Sequence, residues 1–212
     1  MNSSQLLASG VQQLNIHADN EQLSLFMKYV QLLQKWNQTY NLTAIEDTDE
    51  IISKHILDSL SVAEYLQGKK IIDVGSGAGL PGIPLAILCK NKQFTLLDCN
   101  AKKTRFIQQA TIGLGLKNIQ VIQQRVENYK PHDRSKDEFN TLVSRAFASS
   151  DTLLSSCGQL INNLSENGRI IFMLGKQKQL EVLPNRYNVV DIHNIVIPNL
   201  EAQRHIAIVE KI

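Results

Sequence analysis

Cysteine is scarce in this sequence. The three present, Cys89, Cys99 and Cys157, form no Cys-x-x-Cys pair, and the five histidines (His17, His55, His132, His193, His205) fall at no ligand spacing. Neither a disulfide framework nor a zinc site is therefore expected, and no metal is called for. No run approaches the roughly 20 apolar residues that cross a bilayer. The first ten residues lack the basic start and apolar core of a secretory leader. These absences argue against a membrane partner and point to the cytoplasm. An excess of one charge is missing too: 22 Lys and Arg stand against 20 Asp and Glu, a net charge of +2. That balance permits a nucleic-acid partner without requiring one.

What is present, 212 residues with 43% hydrophobic content, suffices for one α/β domain and an accessory segment. Residues 1–66 hold no plausible strand. Leu23, Phe26, Val30, Leu33 and Trp36 recur at steps of three and four, which predicts an amphipathic helix ending between Trp36 and Tyr40. A second helix is expected to open at Asp47 as N-cap, with Glu50 three places on, to bury Ile51, Ile52, Ile56, Leu60 and Ala63, and to stop at Gly68. This segment reads as a helical cap on residues 67–212. There, short apolar runs alternate with helical stretches, as in a parallel sheet covered on both faces. Strands are expected at 71–74, 94–97, 119–122, 141–143 and 169–174, and helices at 81–89, 101–114 and 149–162. After Gly175 the alternation breaks into two strands joined without a helix, which implies an antiparallel pair at the sheet edge.

The most informative stretch is Asp73-Val74-Gly75-Ser76-Gly77-Ala78-Gly79-Leu80-Pro81-Gly82. A strand feeds a glycine-rich turn and then a helix opening at Pro81, so backbone can approach a ligand at the carboxyl edge of the sheet. Gly77-x-Gly79-x-x-Gly82 also fits a dinucleotide fingerprint. Two features favour another ligand. Asp73 stands two residues before the first glycine, in a D-x-G-x-G-x-G form that resembles motif I of methyltransferases, in which the acid steadies the turn and the methionine amino group. Leu80-Pro81 also puts bulk, and a residue without an N–H, where a pyrophosphate would seek donors.

Asp98 ends the second strand about 20 residues past the glycines, where an acid accepts from ribose hydroxyls; it also suits an N-cap for the helix at 101–114. Arg125-Val126-Glu127 follows the third strand, where Val126 and backbone groups can hold a base. Ser144-Arg145-Ala146-Phe147 follows the fourth, and Arg145 there suits the methionine carboxylate, an RNA phosphate or a structural ion pair. Lys102, Lys103 and Arg105 crowd one helical turn, with Arg125, Lys130, Arg134 and Arg145 expected along the same edge of the sheet.

Specific blocks carry a family resemblance: Lys35-Trp36-Asn37 with Tyr40-Asn41-Leu42-Thr43-Ala44-Ile45, His55-Ile56-Leu57-Asp58-Ser59-Leu60, the Asp73 to Pro84 loop, Thr95-Leu96-Leu97-Asp98, Arg125-Val126-Glu127 and Ser144-Arg145-Ala146-Phe147-Ala148. Across nearly its whole length the chain resembles the bacterial small-subunit (16S) ribosomal RNA guanine-N7 methyltransferase G family, also called GidB. The resemblance implies a Rossmann-like class I fold with an antiparallel last strand. It implies S-adenosylmethionine as cofactor, with contacts at Gly75, Leu80, Val126, Glu127 and Arg145 beside Asp73, Gly77, Gly79 and Asp98. The implied partner is 16S ribosomal RNA or the small subunit; the basic cluster itself, Lys102, Lys103 and Arg105 with Arg125, is expected to grip it, and the enzyme is expected to be a monomer. No acid or base catalyst is implied. Two departures stand out: Leu174-Gly175-Lys176 inverts the family's usual Lys-Gly order, and residues 129–136 are lengthened, as in a surface loop. The competing expectations are a methyltransferase of another substrate, a non-catalytic ribosome-assembly factor and a dinucleotide dehydrogenase.

Overall fold

Alternation of short apolar strands with amphipathic helices builds a seven-stranded sheet in the order β3-β2-β1-β4-β5-β7-β6. The computed structural model describes residues 2–130, 139–145, 154, 157, 160, 164–175 and 187–211. Five strands run parallel: β1 (Lys70–Val74), β2 (Gln93–Asp98), β3 (Ile119–Gln123), β4 (Phe139–Ser144) and β5 (Leu164–Leu174). The last strand, β7 (Arg204–Lys211), inserts antiparallel between β5 and β6 (Tyr187–Ile195). The expected antiparallel pair is thus present, with its earlier member outermost. Strand order reverses between β1 and β4, the switch point at which open α/β sheets bind ligands.

The helix expected at 101–114 forms as α6 (Ala101–Leu114) and ends on Gly115 in the left-handed region. The helix expected at 81–89 is shorter, Gly82–Leu88 (α5), because Pro81 sits at its N-cap rather than inside its first turn. The expected helix at 149–162 falls outside the described residues except for Leu154, Cys157 and Leu160, all buried. Lys176 and the lengthened loop beyond residue 130 also lie outside them.

The N-terminal segment is helical, with two differences. An unforeseen helix, α1 (Ser3–Gln13), is closed by a capping box between Asn2 and Gln5. Its apolar content is modest, so its periodicity is faint. The long helix α2 (Asn20–Tyr40) follows expectation. The next helix starts on Asp47, which accepts from Glu50 N at 2.9 Å, but it is not continuous to Gly68. It passes from α3 (Thr48–Ile51) through a π-helical stretch (Ile52–Leu57) into α4 (Asp58–Leu60) and a 3₁₀ turn (Ala63–Tyr65). Gly68 lies beyond the helix end, in the turn entering β1. Residues 51–53 and 55–60 are buried on every side, so no amphipathic stripe fixes a regular 3.6 period. Wide turns of this kind are frequent at functional positions.

One core joins the cap to the sheet. Phe26, Tyr29, Val30 and Leu33 of α2 pack with Phe106 and Ile107 of α6 and with Leu85 of α5. The rings of Tyr29 and Trp36 lie 6.3 and 5.7 Å from that of Phe106. The opposite face buries Ile72, Val74, Leu142, Ile170 and Phe172 around Cys157, whose thiol burial pushes up to about 12. Among the described residues no helix is long and apolar enough to cross a membrane. Phe106 is fully buried at the joint between cap and sheet, so Phe106→Ala is expected to cost about 3–5 kcal/mol of stability by urea denaturation. A loss below about 1 kcal/mol would mean that the joint tolerates the cavity.

Candidate cofactor site

Gly75, Gly77 and Gly79 take φ of 74°, 58° and 88°, which turns the chain back over the end of β1. A Cβ on Gly79 would sit 2.5 Å from Ile83 Cδ1, so left-handed backbone and crowding both demand glycine. The turn is held from several sides. Gly75 N and Ser76 N donate to Leu97 O at 2.9 and 3.2 Å. Asp73 Oδ2 accepts from Gly82 N at 2.9 Å, and Asp98 Oδ2 accepts from Gly77 N at 2.8 Å. From the cap, Tyr29 Oη donates to Ala78 O at 2.7 Å. A side chain at Gly82 would meet Asp73 Oδ2 and Leu96 at 2.8 Å, so this glycine lets the carboxylate reach the helix start.

Asp73 is wholly buried, and its Oδ1 has no hydrogen-bond partner among the described residues. Burial raises its pKa from 3.8 to about 7; the Gly82 N–H, Ser76 and the charge of Arg145 oppose that rise. A half-satisfied buried carboxyl is an acceptor waiting for a cationic or N–H donor. Beside it, a cleft of about 150 Å³ is walled by Gly75, Asp98, Arg125, Val126 and Glu127, together with Cys99. Five of the residues expected from the sequence therefore meet around one cavity. The expected alternative for Asp98 is corrected: the N-cap of α6 is Asn100, which accepts from Lys102 N and Lys103 N, while Asp98 Oδ1 accepts from Asn100 N at 2.8 Å. Leu80 packs into the core, 4% exposed, and offers the cleft no side chain.

Arg145 lies apart from this cleft. It lines a second cavity, of about 280 Å³, and its Nη1 donates to Asp58 Oδ2 and to Lys54 O, both at 3.2 Å. The structural ion pair is thus present, and the charge of Arg145 also opposes the rise in the Asp73 pKa. Both cavities open at the carboxyl end of the sheet: Val74 walls the first, Ser144 Oγ donates to Val74 O at 2.9 Å, and Arg145 is the next residue. Sequence reasoning gave no role to Arg204, whose Nε donates to Asp58 Oδ1 at 2.9 Å. Nor did it single out His55, whose Nε2 is 2.8 Å from Thr43 Oγ1. Burial, then the charge of Arg145, pushes His55 down to about 4, so its ring is neutral. The resemblance at His55 to Leu60 was the only signal for His55 and Asp58; Arg204, at the start of β7, had none.

Lys102 and Arg105 are exposed and Lys103 half-buried on the first turns of α6, and Arg125 is exposed at the cleft rim. Lys130 is exposed as well, and Arg134 falls outside the described residues. Among the described residues no cluster of His, Cys, Asp or Glu could hold a metal ion.

A parallel sheet closed by an antiparallel last strand, with a carboxylate-pinned glycine turn at its switch point, defines a Rossmann-like methyltransferase fold of class I. The chain belongs to the GidB family, rRNA small subunit methyltransferase G, whose model matches residues 22–207. A relative from Nitrosococcus oceani, named ribosomal RNA small subunit methyltransferase G, is 46% identical over 203 residues, covering 95% of this chain and 92% of its own. One of the same name from Hydrogenovibrio crunogenus is 48% identical over 190 residues, 89% of this chain and 85% of its own. Among solved structures, an rRNA methylase from Streptococcus thermophilus shares the fold at TM-score 0.51 and 18% identity, over 74% of this chain and 93% of that one. A protein of the NADB-Rossmann superfamily from Streptococcus agalactiae does so at TM-score 0.56 and 15% identity, over 73% and 67%.

Because the folded Asp73 holds its proton to a higher pH than the unfolded chain does, the ligand-free protein loses this part of its stability as pH rises from 3.8 toward about 7. The difference in unfolding free energy between wild type and Asp73→Asn should shift across that window in favour of the variant. A difference that stays level from pH 4 to 7 would show that Asp73 is ionised throughout.

Proposed function

We propose that the protein transfers a methyl group from S-adenosylmethionine to N7 of a guanine in 16S ribosomal RNA. The observation that carries this is the unpartnered, buried Asp73 Oδ1, on the residue just before Val74 and Gly75, which wall a cleft with Asp98, Val126 and Glu127, in a chain of the GidB family. When bound, S-adenosylmethionine supplies an electrophilic methyl on a sulfonium sulfur.

In this account the chain's residues bind and orient. Asp73 receives the ammonium of the methionine end, and Gly75, Gly77 and Gly79 leave room for close backbone approach, with Leu80 anchoring the turn from beneath. Asp98 retains lone pairs for ribose hydroxyls despite its two backbone donors, since a carboxylate accepts about four hydrogen bonds. Val126 offers apolar surface and Glu127 a polar edge for the base. Arg145 stands toward the methionine carboxylate. Guanine N7 presents an in-plane lone pair at neutral pH, so no general base has to remove a proton first. Alignment then carries the rate enhancement, an effect worth about 7–11 kcal/mol when geometry is fully set. Residues 1–66 act as a cap that steadies the turn through Tyr29, and residues 67–212 carry the transfer. The enzyme acts as a monomer in the cytoplasm, where ribosomal subunits are its substrate.

The target base leaves its stack to reach such a site, and cations hold the flanking backbone. Lys102, Lys103, Arg105 and Arg125 supply them. Mass mapping of 16S RNA after incubation with the protein and S-adenosylmethionine is expected to show one methylated guanine fragment; unchanged fragments on both free RNA and small subunits would refute the assignment. Replacing Lys102, Lys103 and Arg105 together with alanine should weaken RNA binding and flatten its logarithmic salt dependence by about 2–3, leaving cofactor affinity within about twofold. An unchanged salt slope would remove these residues from the RNA interface.

A further inference from the structure

The cavity containing Arg145 is larger than the cofactor cleft, and of the proposed cofactor contacts Arg145 alone lines it. It opens at the carboxyl ends of β4 and β5 and the start of β7, and its polar wall is Lys54, His55, Asp58, Arg145, Arg204 and His205. Two guanidiniums converge on one carboxylate there: Asp58, with a side chain 6% exposed, receives Arg145 at 3.2 Å and Arg204 at 2.9 Å on separate oxygens. The two arginines are themselves mostly buried, at 21% and 25%. His55 is neutral and adds no compensating charge. Lys54 is paired with Glu50 on the exposed side of its helix, a weak surface bridge. The cavity therefore carries at least one positive charge more than its own carboxylate balances.

A partly desolvated, uncompensated guanidinium is costly to keep, and a forked pair of them matches an oxyanion with several acceptor oxygens. His205 adds a buried Nδ1 with no partner among the described residues. The position is equally informative, because both cavities open at the carboxyl end of the sheet: Arg145 follows Ser144, whose Oγ donates to the carbonyl of Val74, a wall of the cofactor cleft. A base flipped into a site at that end of the sheet brings its own sugar and phosphate with it.

We propose that this cavity seats the phosphate of the acceptor nucleotide, with Arg204 as its principal ligand and Asp58 as the positioning residue that aims Arg204 and Arg145 in the empty site. This rests on the RNA methyltransferase function proposed above. Asp58 acts as an internal stand-in for the phosphate: it holds the two guanidiniums on its separate oxygens, partly neutralised, until RNA arrives. Arg145 then faces the cofactor side and Arg204 the acceptor side, joined by a single carboxylate.

The test compares guanosine with a guanosine bisphosphate carrying phosphates on both sides of its sugar, each titrated calorimetrically into full-length protein preloaded with S-adenosylhomocysteine. Wild type should bind the bisphosphate at least about tenfold more tightly. Arg204→Gln should abolish that preference, and Arg204→Lys, which keeps the charge and the fold but loses the fork, should retain part of it. Both variants should bind S-adenosylmethionine within about twofold of wild type. The proposal is overturned if wild type shows no preference, if Arg204→Gln keeps it, or if either variant loses tenfold in cofactor affinity, which would assign the anion to the cofactor's carboxylate instead. Methyl transfer by wild type to small-subunit RNA is read in parallel. Transfer without a bisphosphate preference defeats the cavity assignment alone, whereas no transfer defeats the function on which it rests.

Discussion

The hydrogen bond from Gly82 N to the buried carboxylate of Asp73 fixes the relation between β1 and α5, and the ligand-facing geometry follows from it. That bond spans the whole glycine turn. It engages one carboxylate oxygen and leaves the other buried without a partner; burial raises the pKa of this carboxyl to about 7, and the Gly82 bond opposes that rise without cancelling it. Such a group stores an unmet demand for a donor. The fold tolerates it because β1 is an interior strand, held between β2 and β4, and because Gly82, lacking a side chain, lets the oxygen reach the backbone.

The cap shares in this constraint. Tyr29 reaches from α2 to the carbonyl of Ala78, and burial raises the phenol's pKa, so it remains a donor. Gln22 amide nitrogen meanwhile bonds the carbonyls of Ile87 and Leu88 at the end of α5. The N-terminal helices thereby fix both ends of the segment that leaves the first strand. Their π-helical stretch delivers His55, and the start of α4 delivers Asp58, to the second cavity, so one cap serves both the cofactor turn and the arginine pair.

Legibility in the sequence followed locality. The glycine turn, the acids at Asp73 and Asp98 and the Arg125-Val126-Glu127 corner could be placed because each sits within a few residues of a strand end, and strand ends are readable from apolar runs. The antiparallel finish was readable as well, from two strand-like runs with no helical stretch between them. The long helix α2 was readable from its period; α1 was not, because a short helix with few apolar residues leaves a faint stripe. The break in the 48–65 helix was hidden because a segment buried all round loses its periodic signal. The Asp58, Arg145 and Arg204 cluster was invisible for another reason: its members lie 87 and 146 residues from Asp58, and only the folded sheet edge brings them together.

The central claim is that the turn after β1 and the corner after β3 form one binding site for a charged methyl donor. Amide-resolved NMR of the protein titrated with S-adenosylmethionine tests this most directly. The account predicts the largest shifts at Gly75, Gly77, Val126 and Glu127, with Ala8, Val11 and Leu23 in the groove between α1 and α2 unmoved. Saturable shifts centred on that groove, or none at the glycine turn, would contradict it.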